Sequence, residues 1–158
     1  MTCTAVSEYG GLNRDVVHLM KYSSRKNIAL MMGGLMARMI PKPDVDFLVP
    51  VPLHKGSERE YNQAELIARG ASSVWKVPVL DCLRWKSAVP SQARSLDRAH
   101  RVLPDGAISV RKIEPGARVL LVDDVCTTGG TLLAARKPLC DSGAVVVGAV
   151  VWSRRSRD

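Results

Sequence analysis

Two adjacent carboxylates, Asp123 and Asp124, follow an apolar run and precede a short stretch of small residues. The apolar run, 119–122, is typical of a strand that is buried on both faces. Residues 126–131 are rich in threonine and glycine, and the sequence then continues as a helix. Backbone N–H groups of such a loop at a helix N-terminus form a site for an anion such as phosphate. The order therefore predicts a strand, an acidic tip, a phosphate-binding loop and a helix.

The two carboxylates need a partner other than the phosphate, because like charges repel each other. Carboxylates accept hydrogen bonds from sugar hydroxyls, as the acidic residue of dinucleotide-binding folds does. A phosphate-binding loop beside hydroxyl-binding carboxylates therefore indicates a ribose 5-phosphate. The alternative interpretation is a buried strand followed by a solvent-exposed acidic turn.

The remaining sequence predicts the elements that would position these segments. Apolar residues at helical spacing predict one helix at 13–22, capped by Asn13, and a second from Ser24 to the prolines at 41–43. Residues 1–11 are expected to form a frayed start or a short edge segment. Predicted strands and helices then alternate: strands at 47–51, 77–83, 108–110, 118–122 and 144–152, and helices after Asn62 and at 131–141, the latter capped by Thr128 or Thr131. This alternation predicts an α/β fold with a mostly parallel sheet.

Residues 119–131 resemble the PRPP signature of type I phosphoribosyltransferases. PRPP is phosphoribosyl pyrophosphate. The segments 49–54 (VPVPLH), 59–68 (REYNQAELIA) and 19–22 (LMKY) resemble the ComF/GntX branch of that family. The resemblance implies a mostly parallel central sheet flanked by helices, with a small N-terminal helical hood. At 158 residues a single domain is expected. Residues 1–43 would be its hood segment and 44–158 its PRPP-binding core.

The resemblance also implies roles for individual residues. Asp123 and Asp124 would be the catalytic residues, because they hold the ribose hydroxyls and one of them stabilises positive charge on the anomeric carbon. The ribose and its 5-phosphate would be bound by Asp123, Asp124, Cys126, Thr127, Thr128, Gly129, Gly130 and Thr131. The pyrophosphate would be bound by Leu53, His54, Lys55, Arg59 and Lys86. Mg²⁺ would be held through PRPP oxygens and water, with no metal ligands from the protein.

The implied reaction transfers the phosphoribosyl group from PRPP to an unidentified nitrogen acceptor and releases pyrophosphate. Two positions depart from the family pattern: Glu60 stands where glycine is usual, and Leu103, in the basic segment 84–104, where asparagine is usual. The alternative is a non-catalytic ComF-like accessory protein for DNA uptake during competence. The formal net charge of +8 fits an anionic ligand and also a weak contact with nucleic acid through a basic surface.

Cysteine spacing and hydropathy limit the remaining function classes. The four cysteines form no C-x-x-C pair, which argues against a zinc ribbon or a disulfide framework. The N-terminal zinc-binding segment that is common in the ComF branch is not recognisable. The sequence argues against a P-loop nucleotide site, because the string G-x-x-x-x-G-K-[ST] does not occur. No signal peptide or membrane-spanning run is recognisable, so a cytoplasmic protein without membrane contact is expected, and the family resemblance implies a homodimer.

Overall fold

The computed structural model describes residues 1–22, 26–54, 57, 60–86 and 106–155. Their helices and strands follow one another along the chain as β1 (Cys3–Glu8), α1 (Gly11–Tyr22), α2 (Lys26–Met39), β2 (Phe47–Pro50), α3 (Gln63–Trp75), β3 (Leu83–Trp85), β4 (Ile108–Val110), β5 (Arg118–Cys126), α4 (Gly130–Asp141) and β6 (Val145–Arg154). None of these helices has both the length and the apolar character that a membrane crossing requires.

The main sheet has four parallel strands in the order β1-β6-β5-β2. Strand β5 lies inside the sheet and is buried on both faces, which explains its continuous apolar sequence. Val119 and Leu121 contact the core under α4, whereas Leu120 and Val122 contact the core under α2 and α3. The structure therefore confirms the predicted α/β class and the mostly parallel sheet flanked by helices.

The first strand shows which of the two predicted alternatives, a frayed start or an edge segment, applies to residues 1–11. Strand β1 pairs with β6 at the edge of the main sheet, and the Tyr9 N–H extends this contact by donating to the carbonyl of Arg154. Residues 1–11 thus include an edge segment. Part of the segment 1–43, predicted as a helical hood, therefore belongs to the main sheet.

The strand predicted at 77–83 is wrong for most of its length. Only a bridge between Leu48 and Val79 joins this segment to β2, and the regular strand β3 begins at Leu83. Pro78 accepts from the Leu48 N–H within this bridge but has no N–H to donate, so the ladder cannot extend toward the start of the segment. Strand β3 pairs instead with β4 in a separate antiparallel sheet.

Predicted helix starts were confirmed at one position and wrong at two. Asn62 caps α3, because its side chain accepts from the N–H of Ala64 at 3.1 Å. Helix α1 begins earlier than predicted, at Gly11, so Asn13 lies inside its first turn, where its N–H donates to the Gly10 carbonyl. Helix α4 is capped by Gly129 rather than by Thr128 or Thr131. Ser24, the predicted cap of the second helix, lies outside the described residues.

Helices α2 and α3 touch through their backbones. A methyl group on Gly33 would overlap the carbonyl of Ile67, and one on Gly70 would overlap the carbonyl of Leu30. Gly34, next to Gly33, faces more open space, since a Cβ at this position would lie 3.9 Å from the carbonyl oxygen of Gly70. Two glycines therefore allow these helices to pack more closely than side chains would permit.

Replacing Gly33 by alanine should destabilise the protein by about 3 kcal/mol, because backbone overlap forces the two helices apart. The matched control is Gly34→Ala, which should be neutral or stabilising by up to about 1 kcal/mol, since alanine has the higher helix propensity. Urea denaturation of both variants measures the difference. Equal unfolding free energies for the two variants would contradict the close backbone contact.

Candidate functional site

A cleft of about 260 Å³ opens at the carboxyl end of β2 and β5. Its walls come from the segment after β2, the first turns of α3 and α4, and the end of β3. Ligands of open parallel α/β sheets bind at this edge, outside the carboxyl ends of the strands. Five of the predicted site residues line the cleft: Leu53, His54, Asp123, Asp124 and Thr131.

The acidic pair lies at the end of the interior strand. The Asp124 side chain is buried and that of Asp123 is half-buried, although both face the cleft. The backbone N–H of Asp124 donates to Oδ1 of Asp123 at 2.8 Å, which orients the Asp123 carboxylate. The pair thus presents acceptor oxygens to the cleft from a rigid part of the sheet.

The predicted phosphate-binding loop leads directly into α4. Gly129 has a φ of 81°, a left-handed conformation that favours glycine, and it is the N-terminal cap of the helix. The Gly130 N–H contacts Oγ1 of Thr128 at 3.4 Å, and the side chains of Thr127 and Thr128 are exposed. Apart from the Gly130 N–H, the first N–H groups of α4 have no acceptor within the helix and can donate to an anion. Cys126 differs from its neighbours, because its side chain packs in the core beneath the loop.

The segment after β2 is held by two side-chain donors. Nδ2 of Asn62 donates to the carbonyl of Val51 at 3.0 Å, and Nε1 of Trp85 donates to the carbonyl of Pro52 at 2.8 Å. The exposed His54 ring packs edge-on against Trp85, with ring centroids 4.7 Å apart. The conformation of this segment is therefore set by contacts with α3 and β3.

Three predicted pyrophosphate contacts lie elsewhere or outside the described residues. Lys86 is exposed, is not among the residues that line the cleft, and places its ammonium group near Gly106. Lys55 and Arg59 fall in the part of the chain that the structure does not describe.

Sequence reasoning missed several residues that line the cleft, above all Gln63 and Trp85. Among the described residues, the buried polar side chains are Gln63, Asp124 and Ser153, and the first two face the cleft. The position of Gln63 directly after the helix cap was a usable signal, because the first turn of a helix at this edge faces the ligand side. Trp85 gave no comparable local signal.

Tyr61 connects the N-terminal helices to the start of α3. Its hydroxyl donates to the carbonyl of Met20 at 2.9 Å, and the ammonium of Lys26 lies 5.7 Å from its ring centroid. Burial raises the pKa of Tyr61, and the carboxylate of Glu60 raises it further, so the phenol stays protonated and can donate. No described residue of α1 or α2 lines the cleft, so their role as a hood stays a prediction.

Comparison with known proteins adds a family match. A family model described as "Phosphoribosyl transferase domain" matches residues 66–158. A hypoxanthine/guanine phosphoribosyltransferase of Methanohalobium evestigatum is 30% identical over 129 residues, which are 73% of this chain and 65% of that protein. An orotate phosphoribosyltransferase of Pyrococcus abyssi is 52% identical over 46 residues, 29% of this chain and 25% of that protein. The chain thus spans less than two thirds of either relative.

Solved structures show the same fold at low sequence identity. An adenine phosphoribosyltransferase from Thermoanaerobacter pseudethanolicus aligns with a TM-score of 0.56 and 16% identity, covering 81% of this chain and 68% of that one. A UMP synthase from Leishmania donovani aligns with a TM-score of 0.53 and 23% identity, covering 89% of this chain and 24% of that one. These likenesses support the fold and carry no assignment of substrate.

Replacing Asn62 by alanine should cost about 2 kcal/mol of unfolding free energy, because it removes both the helix cap and the donor to Val51. Asn27, an exposed residue of α2, provides the control. Asn27→Ala should change the unfolding free energy by less than about 0.5 kcal/mol. Urea denaturation compares the two, and a loss below 0.5 kcal/mol for Asn62→Ala would refute the double role of this side chain.

Proposed function

Because the chain belongs to the phosphoribosyl transferase domain family, we propose that it binds PRPP and transfers the phosphoribosyl group to a nitrogen acceptor. The observation that carries the proposal is that the acidic pair, the N-terminus of α4 and the segment after β2 border one cleft. Each of these parts suits a different portion of PRPP: the ribose, the 5-phosphate and the pyrophosphate.

The 5-phosphate binds at the N-terminus of α4. Backbone N–H groups at 127–131 donate to its oxygens, and the hydroxyls of Thr127, Thr128 and Thr131 add further donors. Gly129 has a left-handed conformation, and successive N–H groups around such a residue can form a concave site for an anion. Cys126 contributes its backbone only, since its thiol is in the core.

The acidic pair binds the ribose. Asp123 and Asp124 accept hydrogen bonds from the ribose hydroxyls, and their negative charge lies near the anomeric carbon. The bond from this carbon to the pyrophosphate oxygen breaks ahead of the bond that forms to the acceptor nitrogen, so positive charge develops on the sugar. Pyrophosphate leaves with the bonding electron pair, and the acceptor nitrogen loses its proton to water. A fixed carboxylate in a largely buried position stabilises that charge and needs no reorganisation during the reaction.

The pyrophosphate leaves along the segment after β2. Leu53 and His54 line this side of the cleft, and the imidazole of His54 is exposed to it. Lys55 and Arg59 complete the proposed set of pyrophosphate contacts, whereas the position of Lys86 near Gly106, away from the cleft, argues against including it. Arg59 suits the role best, because its planar guanidinium matches phosphate oxygens in pairs.

The cleft also suits Mg²⁺ that arrives with PRPP. In the described part of the chain no group of three or more His, Cys, Asp or Glu side chains could hold a metal ion. Mg²⁺ keeps several waters and is readily held by substrate phosphates, so it would be bound here through PRPP oxygens, beside the acidic pair. When bound, the ion would neutralise charge on the departing pyrophosphate.

For the acceptor we propose a ring nitrogen of a nucleobase. The two relatives named above are a hypoxanthine/guanine and an orotate phosphoribosyltransferase, and their names support a nucleobase without selecting one. Membership of the ComF/GntX branch and its accessory role in DNA uptake stay predictions. The homodimer, the nucleic-acid contact and the cytoplasmic location also stay predictions.

PRPP with Mg²⁺ should raise the melting temperature by about 5–10 °C at a concentration of 100 times Kd, since binding then adds about 2.7 kcal/mol. Asp124→Asn should lose most of this shift, because the neutral amide is a weaker acceptor for the ribose hydroxyls. Asp141→Asn is the control, since this exposed residue ends α4 away from the cleft. An unchanged shift in Asp124→Asn would overturn its role, and no shift in the wild type would overturn PRPP binding.

Gly129→Ala should weaken PRPP binding about tenfold, because a side chain costs about 1–2 kcal/mol in the left-handed conformation and shifts the loop. Gly116, with a φ of 83°, has the same backbone conformation in a turn and a Cβ there would meet no atom within 4 Å. Gly116→Ala should lose similar stability and keep its affinity. Isothermal titration with PRPP and Mg²⁺ tests the pair, and equal affinities would contradict the role of the loop.

A further inference from the structure

Trp85 joins the second, smaller sheet to the segment after β2. It ends β3, its side chain is 7% exposed, and it lines the cleft. Its Nε1 donates to the Pro52 carbonyl at 2.8 Å across 33 positions of sequence. Its ring meets that of His54 at an interplanar angle of 62°. One side chain thus fixes both a carbonyl and a neighbouring imidazole.

The segment after β2 depends on such contacts because its own backbone offers few bonds. Pro50 and Pro52 have no N–H to donate, so main-chain pairing with β5 ends at the bond from the Val51 N–H to the carbonyl of Val122. Beyond that point the carbonyl of Pro52 is held by the Trp85 indole. The direction in which the chain leaves the sheet is therefore set from β3.

Trp85 is itself rigidly held. It pairs with Ile108 of β4, and the N–H of the following residue, Lys86, donates to the carbonyl of Ala107 at 2.9 Å. Its ring belongs to the same buried cluster as Val49 and Leu121 of the main sheet. An anchor of this kind can orient an exposed side chain without taking part in its chemistry.

We propose that Trp85 is a positioning residue for the pyrophosphate subsite, which it shapes by holding Pro52 and His54 in a preformed anion-binding conformation. This inference rests on the proposed function, because it takes the segment after β2 to be the part that meets pyrophosphate. A loop that is already ordered loses less entropy when the anion binds, so affinity depends on the anchor.

The test is isothermal titration calorimetry, in which pyrophosphate with Mg²⁺ is titrated into the wild type, Trp85→Phe and Trp75→Phe. Phenylalanine keeps an aromatic ring and removes the indole donor. Trp75 is the matched control: it is 3% exposed, its Nε1 lies 3.4 Å from the Ile40 carbonyl, and it does not line the cleft. Trp85→Phe should weaken pyrophosphate binding about three- to tenfold, and Trp75→Phe by less than about twofold.

A second measurement separates positioning from a general loss of stability. The imidazole proton signals of His54 in the unliganded protein should move in Trp85→Phe and stay in place in Trp75→Phe. Should Trp85→Phe fail to fold, the NMR signal of the Trp85 indole N–H in the wild type provides the second measurement. That signal should shift on addition of pyrophosphate.

The outcomes distinguish this inference from the proposed function. Wild-type affinity in Trp85→Phe, or an indole signal that ignores bound pyrophosphate, would overturn the inference and leave PRPP binding intact. A wild type that binds neither PRPP nor pyrophosphate would overturn the proposed function, and the inference with it. Weaker binding in Trp85→Phe together with a moved His54 signal would support both.

Discussion

The parallel pairing of β5 with β2 is the constraint on which the cleft depends. Its register sets Pro50 beside Val122, and the Val51 N–H bonds to the Val122 carbonyl. The next residue of β5 is Asp123, so the acidic pair and the segment leaving β2 begin side by side. Because β5 also pairs with β6, the acidic tip stands on an interior strand buried on both faces. The candidate site thus begins on a strand that is paired on both sides.

Elements with strong local patterns were predictable, and elements set by long-range pairing were less so. The strand at 119–122 and the helix cap at Asn62 are each determined by a few neighbouring residues, so the local sequence was enough to predict them. Strand β1 has a mixed sequence, so only its pairing with β6 decides its conformation. The error at 77–83 arose because an apolar run containing Pro78 was interpreted as a continuous strand, although the regular ladder starts at Leu83.

The candidate site divides in the same way. Asp123, Asp124 and Thr131 follow one another closely, so their shared location could be inferred from one stretch of sequence. Trp85 reaches the cleft through a contact with Pro52 that no local pattern encodes. Helix α4 is capped by Gly129 and not by a threonine. The cap position has a left-handed conformation, which favours glycine over the side chains that usually cap helices.

The glycine contact between α2 and α3 links the positions of these two helices. At Gly33 and Gly70 the backbones of the two helices touch directly, so sliding one helix past the other would require them to separate at these points. The start of α3 carries Gln63 and its cap, Asn62, at the border of the cleft. A displacement of α2 that carried α3 with it would therefore change the shape of the cleft, although α2 itself does not line it.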